Sequence, residues 1–187
     1  MVYKKVCDKN NILLEKDKDT NSYCISLNII NNNIKLFNLL TFDLWDLILK
    51  INSDYIEKFD IVNRQDNTIN IVMVFKNLLK SLGNKKIYFL YQTIERKQKD
   101  NGVEFISKNC TGPIPEHYDN PELFRINTID ENLILNLYND NHSCNIKKQM
   151  IINLSSENLP IIAEDMIGLI NKNIFLRVKS FIEQLTI

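Results

Sequence analysis

Asn101-Gly102 stands between two runs of strand-forming residues, Ile87–Thr93 and Val103–Ile106. An Asn-Gly pair flanked in this way is the strongest local signal for a two-residue β-hairpin, because both turn positions then need positive φ. A hairpin folded about these two residues sets Asp100 opposite Val103, Lys99 opposite Glu104 and Glu95 opposite Lys108. Two of the three pairs carry opposite charges, each contributing roughly 0.2–1 kcal/mol across an antiparallel pair. Upstream, Ile87–Tyr91 is apolar on both faces, so the base of the hairpin is buried and only its tip is wet. Antiparallel sheet is therefore the first element of the fold that the residues impose.

The N-terminal third repeats the theme. "YKKVCD", "NILLEK", "SYCISLNI" and "NIKLFNLL" read as short strands between polar turns, and Ile25–Ile29 alternates apolar and polar as a one-side-wet strand must. The period then changes. Leu44, Leu47, Ile48, Ile51, Tyr55 and Phe59 recur at three- and four-residue spacing, which predicts a helix over about 42–59, capped by Thr41 and with Asp43 at its positive end. Ile69–Phe75 suits a strand, whereas Phe75, Leu78, Leu79 and Leu82 predict a helix ending at Gly83. "TGPIPEHYDNPELF" is a structured loop, "ENLILNLYND" fits helix or strand, and "NIKKQMIINL" reads as a strand. The last segment is helical, with a break near Asn171-Lys172-Asn173 and a stripe of Val178, Phe181, Ile182 and Leu185.

These elements give an α+β fold: mostly antiparallel sheet, in one or more sheets, packed by two or three helices. "FNLLTFDLWDLI" lies over "IINLSSENLPII", with Thr41 over Ser155 and Asp43 over Glu157, as a strand-strand-strand-helix pseudo-repeat would require. The alternative is that Ser or Thr followed by an acid marks any helix start. The 187 residues suit one globular domain over 1–187, or two packed halves of about 1–62 and 84–187 joined by a helical segment.

Formal net charge is zero, so no global field draws in nucleic acid or an anionic surface. Asn, Ile and Lys make up roughly two-fifths of the residues, away from average usage, as A+T-rich coding produces; a viral source is one such origin. No run reaches the ~20 apolar residues that span a bilayer, and the first residues lack the apolar core of a signal peptide. Four scattered cysteines fit a reducing compartment. The expectation is an intracellular protein, cytoplasmic or nuclear, neither secreted nor membrane-bound.

No nucleotide-binding, zinc-protease or hydrolase motif occurs, and four glycines leave little material for a phosphate-cradling loop. No catalytic residue and no cofactor is assigned. Cys110, His117, His142 and Cys144 are the right ligand types for tetrahedral zinc, but neither pair forms the usual tight C-x₂₋₄-C knuckle, so no metal is assigned. Two binding readings remain. The first is a non-enzymatic interaction or assembly subunit of a larger homo- or hetero-oligomeric complex, docked through Trp45, the single tryptophan. The second is a single-stranded nucleic-acid binder. Lys85, Lys86, Arg96, Lys97 and Lys99 surround Tyr88 on the hairpin, Lys147 and Lys148 extend the patch, and cations beside stackable aromatics suit such binding. Strands followed by a helix, twice, is similar to the arrangement of the Whirly family of single-strand binders. That resemblance implies a nucleic-acid-binding sheet surface but brings no residue roles with it. Glu95, Asp100 and Glu104 neutralise much of the patch.

Overall fold

A computed structural model of the chain describes residues 3–17, 19–76, 87–138, 140–153 and 161–186. Three strands come first: Tyr3–Lys9 (β1), Ile12–Asp17 (β2) and Ser22–Ile30 (β3). A 3₁₀ turn, Phe37–Leu40, and a helix, Asp43–Ile51 (α1), lead to Ile56–Gln65 (β4), Thr68–Phe75 (β5), Ile87–Lys99 (β6) and Gly102–Asn109 (β7). Leu123–Arg125 (β8), Asn127–Leu137 (β9) and Ser143–Asn153 (β10) follow, and Ile161–Gln184 (α2) closes the chain. All ten strands join one sheet in the order β1-β2-β3-β10-β9-β7-β6-β5-β4, antiparallel along that path, with short β8 pairing parallel to β6. The link between β3 and β10 is the decisive long-range pairing, running from Ser143 opposite Ile30 to Ile151 opposite Ser22.

The inner face of this sheet is mostly apolar and follows the pleat, although Cys24 on the other face of β3 is buried as well. On β3, Tyr23, Ile25, Leu27 and Ile29 are buried, while Ser26 is half-buried and Asn28 exposed. Helix α2 packs along β2, β3 and α1, burying Ala163, Ile167, Ile174, Phe175, Val178 and Ile182. Gly168 lets it sit close: a Cβ there would lie 2.9 Å from Cδ1 of the Tyr23 ring. The same tyrosine donates its hydroxyl hydrogen to Asp165 Oδ1 at 2.7 Å, and Lys16 Nζ donates to that oxygen at 2.8 Å. On the opposite face, Val72, Val74, Phe89 and Tyr91 form a second apolar cluster with Cys110 and Tyr118. The loop after β7 therefore covers β5 and β6 from outside, which is why Ile87–Tyr91 is apolar on both faces.

The fold expected from sequence needs correction: this is one large sheet with one long C-terminal helix, not a sheet packed by two or three helices. Helix α1 stops at Ile51 rather than near 59. Asn52, fully buried, ends it: its backbone N–H donates to Ile48 O and Leu49 O and its side-chain amide to Ile48 O at 2.9 Å. Tyr55 then precedes β4 and Phe59 lies within it, so their helical spacing to Ile51 is coincidental. Phe37–Leu40 is a 3₁₀ turn rather than a strand. Helix α2 runs unbroken through 171–173, because the Asn171 amide donates back to Ile167 O at 3.1 Å instead of competing with the backbone. Three strands do precede a helix twice, β1–β3 before α1 and β8–β10 before α2, but both sets belong to one sheet and pair differently, since β8 pairs with β6 and not with β9. Residues 154–160 and the helix expected to end at Gly83 (77–86) lie outside the described residues.

The hairpin exists, but with a shifted turn. Lys99 pairs with Gly102, Lys97 with Glu104 and Glu95 with Ile106, so Asp100-Asn101 is the turn and Gly102 belongs to β7. Gly102 is needed for a different reason: a Cβ there would come 1.9 Å from Leu135 O on the neighbouring β9. The two consecutive positive-φ residues of a primed turn are elsewhere, at Asn10 (58°) and Asn11 (57°) between β1 and β2.

Candidate functional site

Between the inner face of the sheet and α2 the packing leaves a cavity. Its walls come from β5, β6, β7, β9, β10, α1 and α2, and most of the lining is apolar, including Ile71, Met73, Leu90, Met150, Ile167 and Phe175. Trp45 of α1 lines it as well, 7% exposed, its ring centroid 5.0 Å from that of Phe105. The volume is about 70 Å³, counted as the space open to the centre of a water molecule. About 10–15 Å³ by that measure already admits one water. Met73 and Met150 are flexible thioethers that reshape at low cost, so the walls can spread around a larger occupant.

Across this apolar surface runs one polar belt. Gln92 on β6, Ser107 on β7, Glu131 on β9 and Lys148 on β10 all line the cavity, and Asn171 of α2 meets them from the helix side. Cross-strand registry builds it: Ser107 lies opposite Glu131, Lys148 lies opposite Leu133, and beside Glu131 the register shifts, β9 spending three residues from Asn132 to Ile129 against two on β10 from Gln149 to Ile151. Glu131 Oε1 forms an ion pair with Lys148 Nζ, Oε2 accepts from Gln92 Nε2 at 3.1 Å, and Lys148 Nζ donates to Asn171 Oδ1 at 3.0 Å. The ammonium also lies 5.5 Å from the centre of the Phe175 ring. The Lys148 and Glu131 side chains are only 13% and 9% exposed. Strand alternation explains why sequence reading misplaced this lysine: in Lys147-Lys148 the first points to solvent and the second into the cavity.

The other residues singled out from sequence do not gather there, Trp45 apart. Tyr88 is fully buried, with no face left for a base. Arg96 Nε donates to Leu40 O at 2.7 Å, Lys97 lies 3.6 Å from Glu95, and Lys99 lies 2.9 Å from Glu104. Lys85 and Lys86 lie outside the described residues. Cys144 belongs to the inner core, where burial pushes its thiol up to about 12, whereas Cys110 sits in the outer cluster. Burial would raise the Cys110 thiol too, but hydrogen bonds from Tyr91, the Gly112 N–H and Thr93 outweigh it and hold the thiol below its ordinary value. His117 is exposed beside Asp60, and a ring nitrogen of His142 faces Asn31 O and Ile34 O at 3.0 and 2.8 Å. Among the described residues no three His, Cys, Asp or Glu side chains gather to hold a metal.

A second, open groove of about 400 Å³ lies outside, between the 34–50 segment and the end of α2. It is larger, and its lining mixes Leu36, Leu39, Leu44 and Phe181 with Lys35, Asp43, Asp46 and Lys50. Among the described residues, no helix is long and apolar enough to cross a membrane.

No protein-family model matches the chain, and no curated protein matches it. Solved structures do. The lipid transfer and protein localization domain of human StarD13 superposes with a TM-score of 0.74, at 10% identity, over 98% of this chain and 90% of that one. Human StAR-related lipid transfer protein 5 gives 0.75 at 12% identity, over 97% and 86%. A STAR-related lipid transfer protein from Xanthomonas axonopodis gives 0.69 at 8%, over 97% and 99%. This likeness corrects the functional readings made from sequence. The assembly subunit loses its anchor, because Trp45 faces the cavity rather than a partner chain. The nucleic-acid surface loses its stacking ring, and among the described residues Lys97, Lys99 and Lys148 are paired with carboxylates. The viral source gains no support, since these similar chains come from human and Xanthomonas axonopodis. The chain has the fold of StAR-related lipid transfer domains, one large antiparallel sheet around a long C-terminal helix.

Proposed function

We propose that this protein binds an apolar, lipid-like small molecule between its sheet and α2, and carries it without transforming it. The observation that carries this reading is the cavity itself: partly open, mostly apolar, and set where a sheet and a helix would otherwise close a continuous core. A protein selected for stability alone fills such a space, since each unfilled methyl-sized void costs about 1 kcal/mol. The similar solved structures that bear the name lipid transfer support the same reading. The single sheet, continuous from β1 to β4, supports treating residues 1–187 as one binding unit.

Trp45 supplies the assay. It is the only tryptophan and lines the cavity, so its emission reports occupancy. Titration with 1-decanol is expected to give a saturable, one-to-one change in Trp45 emission and a rise in Tm, since a ligand bound only by the folded state stabilises it. Filling the cavity with Ile71→Phe is expected to abolish both responses. The reading is overturned if neither decane, 1-decanol nor decanoate moves either observable.

A further inference from the structure

We infer that Cys7 and Lys172 form a peroxide-driven modification site, at which the thiol is oxidised and then joined covalently to the amine. The two residues come from opposite ends of the chain. Lys172 stands on α2 and is only 4% exposed, and its Nζ donates to Cys7 Sγ at 3.2 Å. Among the described residues this sulfur is the sole hydrogen-bond partner of the ammonium, and no carboxylate pairs with it. Burying a cation costs free energy unless it is well paired, and sulfur is a weak acceptor. Leucine or methionine would fill the same place at lower cost. Stability therefore gives no reason for an amine here, whereas its position against a thiol does.

Strand geometry aims the sulfur. β1 is an edge strand on which Lys4, Lys5, Val6, Asp8 and Lys9 are exposed, while Cys7 is half-buried against the core. Its pairing with β2 passes from Lys5 opposite Glu15 to Cys7 opposite Leu14, so Val6 is the extra residue of a bulge. A bulge re-aims the side chains beside it, and here Cys7 faces α2 across the intervening β2. Cys24, Cys110 and Cys144 are buried, so Cys7 is the thiol that a small oxidant in solution meets first. Hydrogen peroxide transfers one oxygen to the Cys7 sulfur: the O–O bond breaks, an S–O bond forms, the sulfur loses two electrons, and water leaves. The Lys172 amine, having given one proton to solvent, attacks that sulfur with its lone pair. An N–S bond forms and the S–O bond breaks. The departing hydroxide takes a second proton from the nitrogen and leaves as water. The product is a sulfenamide that fastens β1 to α2, and a thiol reductant reverses it by attacking the sulfur and releasing the amine.

The test treats the folded, intact chain with hydrogen peroxide and maps its peptides by mass spectrometry. The expected product joins the peptide of Cys7 to that of Lys172, two hydrogen atoms lighter than their sum, and comes apart in dithiothreitol. In Lys172→Met the link is expected to vanish while Cys7 still forms a sulfenic acid that dimedone traps, because the oxidation step needs only the sulfur. In Cys7→Ser neither link nor trapped acid at position 7 is expected. A native chain whose Cys7 is trapped by dimedone, or proceeds to the sulfinic acid, with no link to Lys172 overturns the proposal. So does a Cys7 that peroxide leaves unchanged, or a Cys7 linked to a different lysine. If either variant does not fold, the native peptide map decides by itself.

Discussion

Removing one partner of the buried pair should be far worse than removing both. In Lys148→Met the Glu131 carboxylate keeps only the Gln92 amide and stays buried without a counter-charge. Breaking a buried pair in this way costs about 3–5 kcal/mol. For a domain of this size each kcal/mol moves Tm by about 2–4 °C, so a drop on the order of 10 °C is expected. Glu131→Leu should behave alike, leaving an ammonium beside Asn171 and the Phe175 ring. The double variant removes both desolvated charges, a change that is neutral or stabilising by about 1–4 kcal/mol in comparable pairs. Here that gain is opposed by the loss of two hydrogen bonds, Gln92 Nε2 to Glu131 and Lys148 Nζ to Asn171 Oδ1, at about 0.5–1.5 kcal/mol each. The double variant should therefore lie closer to the native protein than either single. Urea unfolding followed by Trp45 emission, with the m-value checked for constancy, measures all four corners of the cycle. Singles within about 1 kcal/mol of native, or a double as unstable as their sum, would refute the reasoning, since the pair would then be solvated and not part of a dry wall.

Three further outcomes follow from the packing. Gly168→Ala should destabilise the protein although Ala is the better helix former: the gain of about 1 kcal/mol is outweighed by overpacking of about 1–3 kcal/mol against a Tyr23 ring that is fully buried and tied to Asp165. A rise in the urea midpoint would contradict this. Gly102→Ala forces β7 from β9, because the obstacle at 1.9 Å is backbone; a loss of more than about 1 kcal/mol and faster amide exchange on both strands are expected. Asp165 sets an acid limb. Burial alone would raise its carboxyl, but hydrogen bonds from the Lys16 ammonium and the Tyr23 hydroxyl hold it below the usual range. A depressed carboxyl contributes stability present above its unfolded value, about 3.9, and lost as pH falls through its lower folded value. Asp165→Asn should flatten the stability curve below about pH 4, and an unchanged acid limb would count against the contact.

Much of the framework was legible in the residues. β1, β2 and β3 follow from period-two alternation between polar turns, and β6 and β7 from a hairpin whose existence the Asn101-Gly102 pair marks. The turn position was not legible, since a glycine needed for φ and a glycine needed for close approach look identical in sequence, and at 102 it is Leu135 O that demands it. The helix start was legible to within a residue: Phe42, not Thr41, holds the cap position, without a side-chain cap bond, while the Thr41 hydroxyl accepts the Asp43 N–H at 3.2 Å. Its end was not, because Asn52 stops it through a side chain buried between α1 and α2, where its amide also reaches Ile174 O at 3.5 Å.

Local periodicity thus determined β1–β3, the β6–β7 hairpin, β10 and the start of α1, but not β4, whose first residues kept a helical spacing, nor β9, which fitted helix or strand equally. Only the tertiary structure decided that β3 pairs with β10, that ten strands form one sheet instead of two layers, and that α2 lies along it. These are long-range choices, fixed by burial of faces that many partners could have covered. The candidate site belongs wholly to that level. Gln92, Ser107, Glu131, Lys148 and Asn171 come from five elements and share no spacing in the chain. Trp45 read as a docking anchor and Lys148 as half of a basic patch, until the pleat and the helix turned both inward.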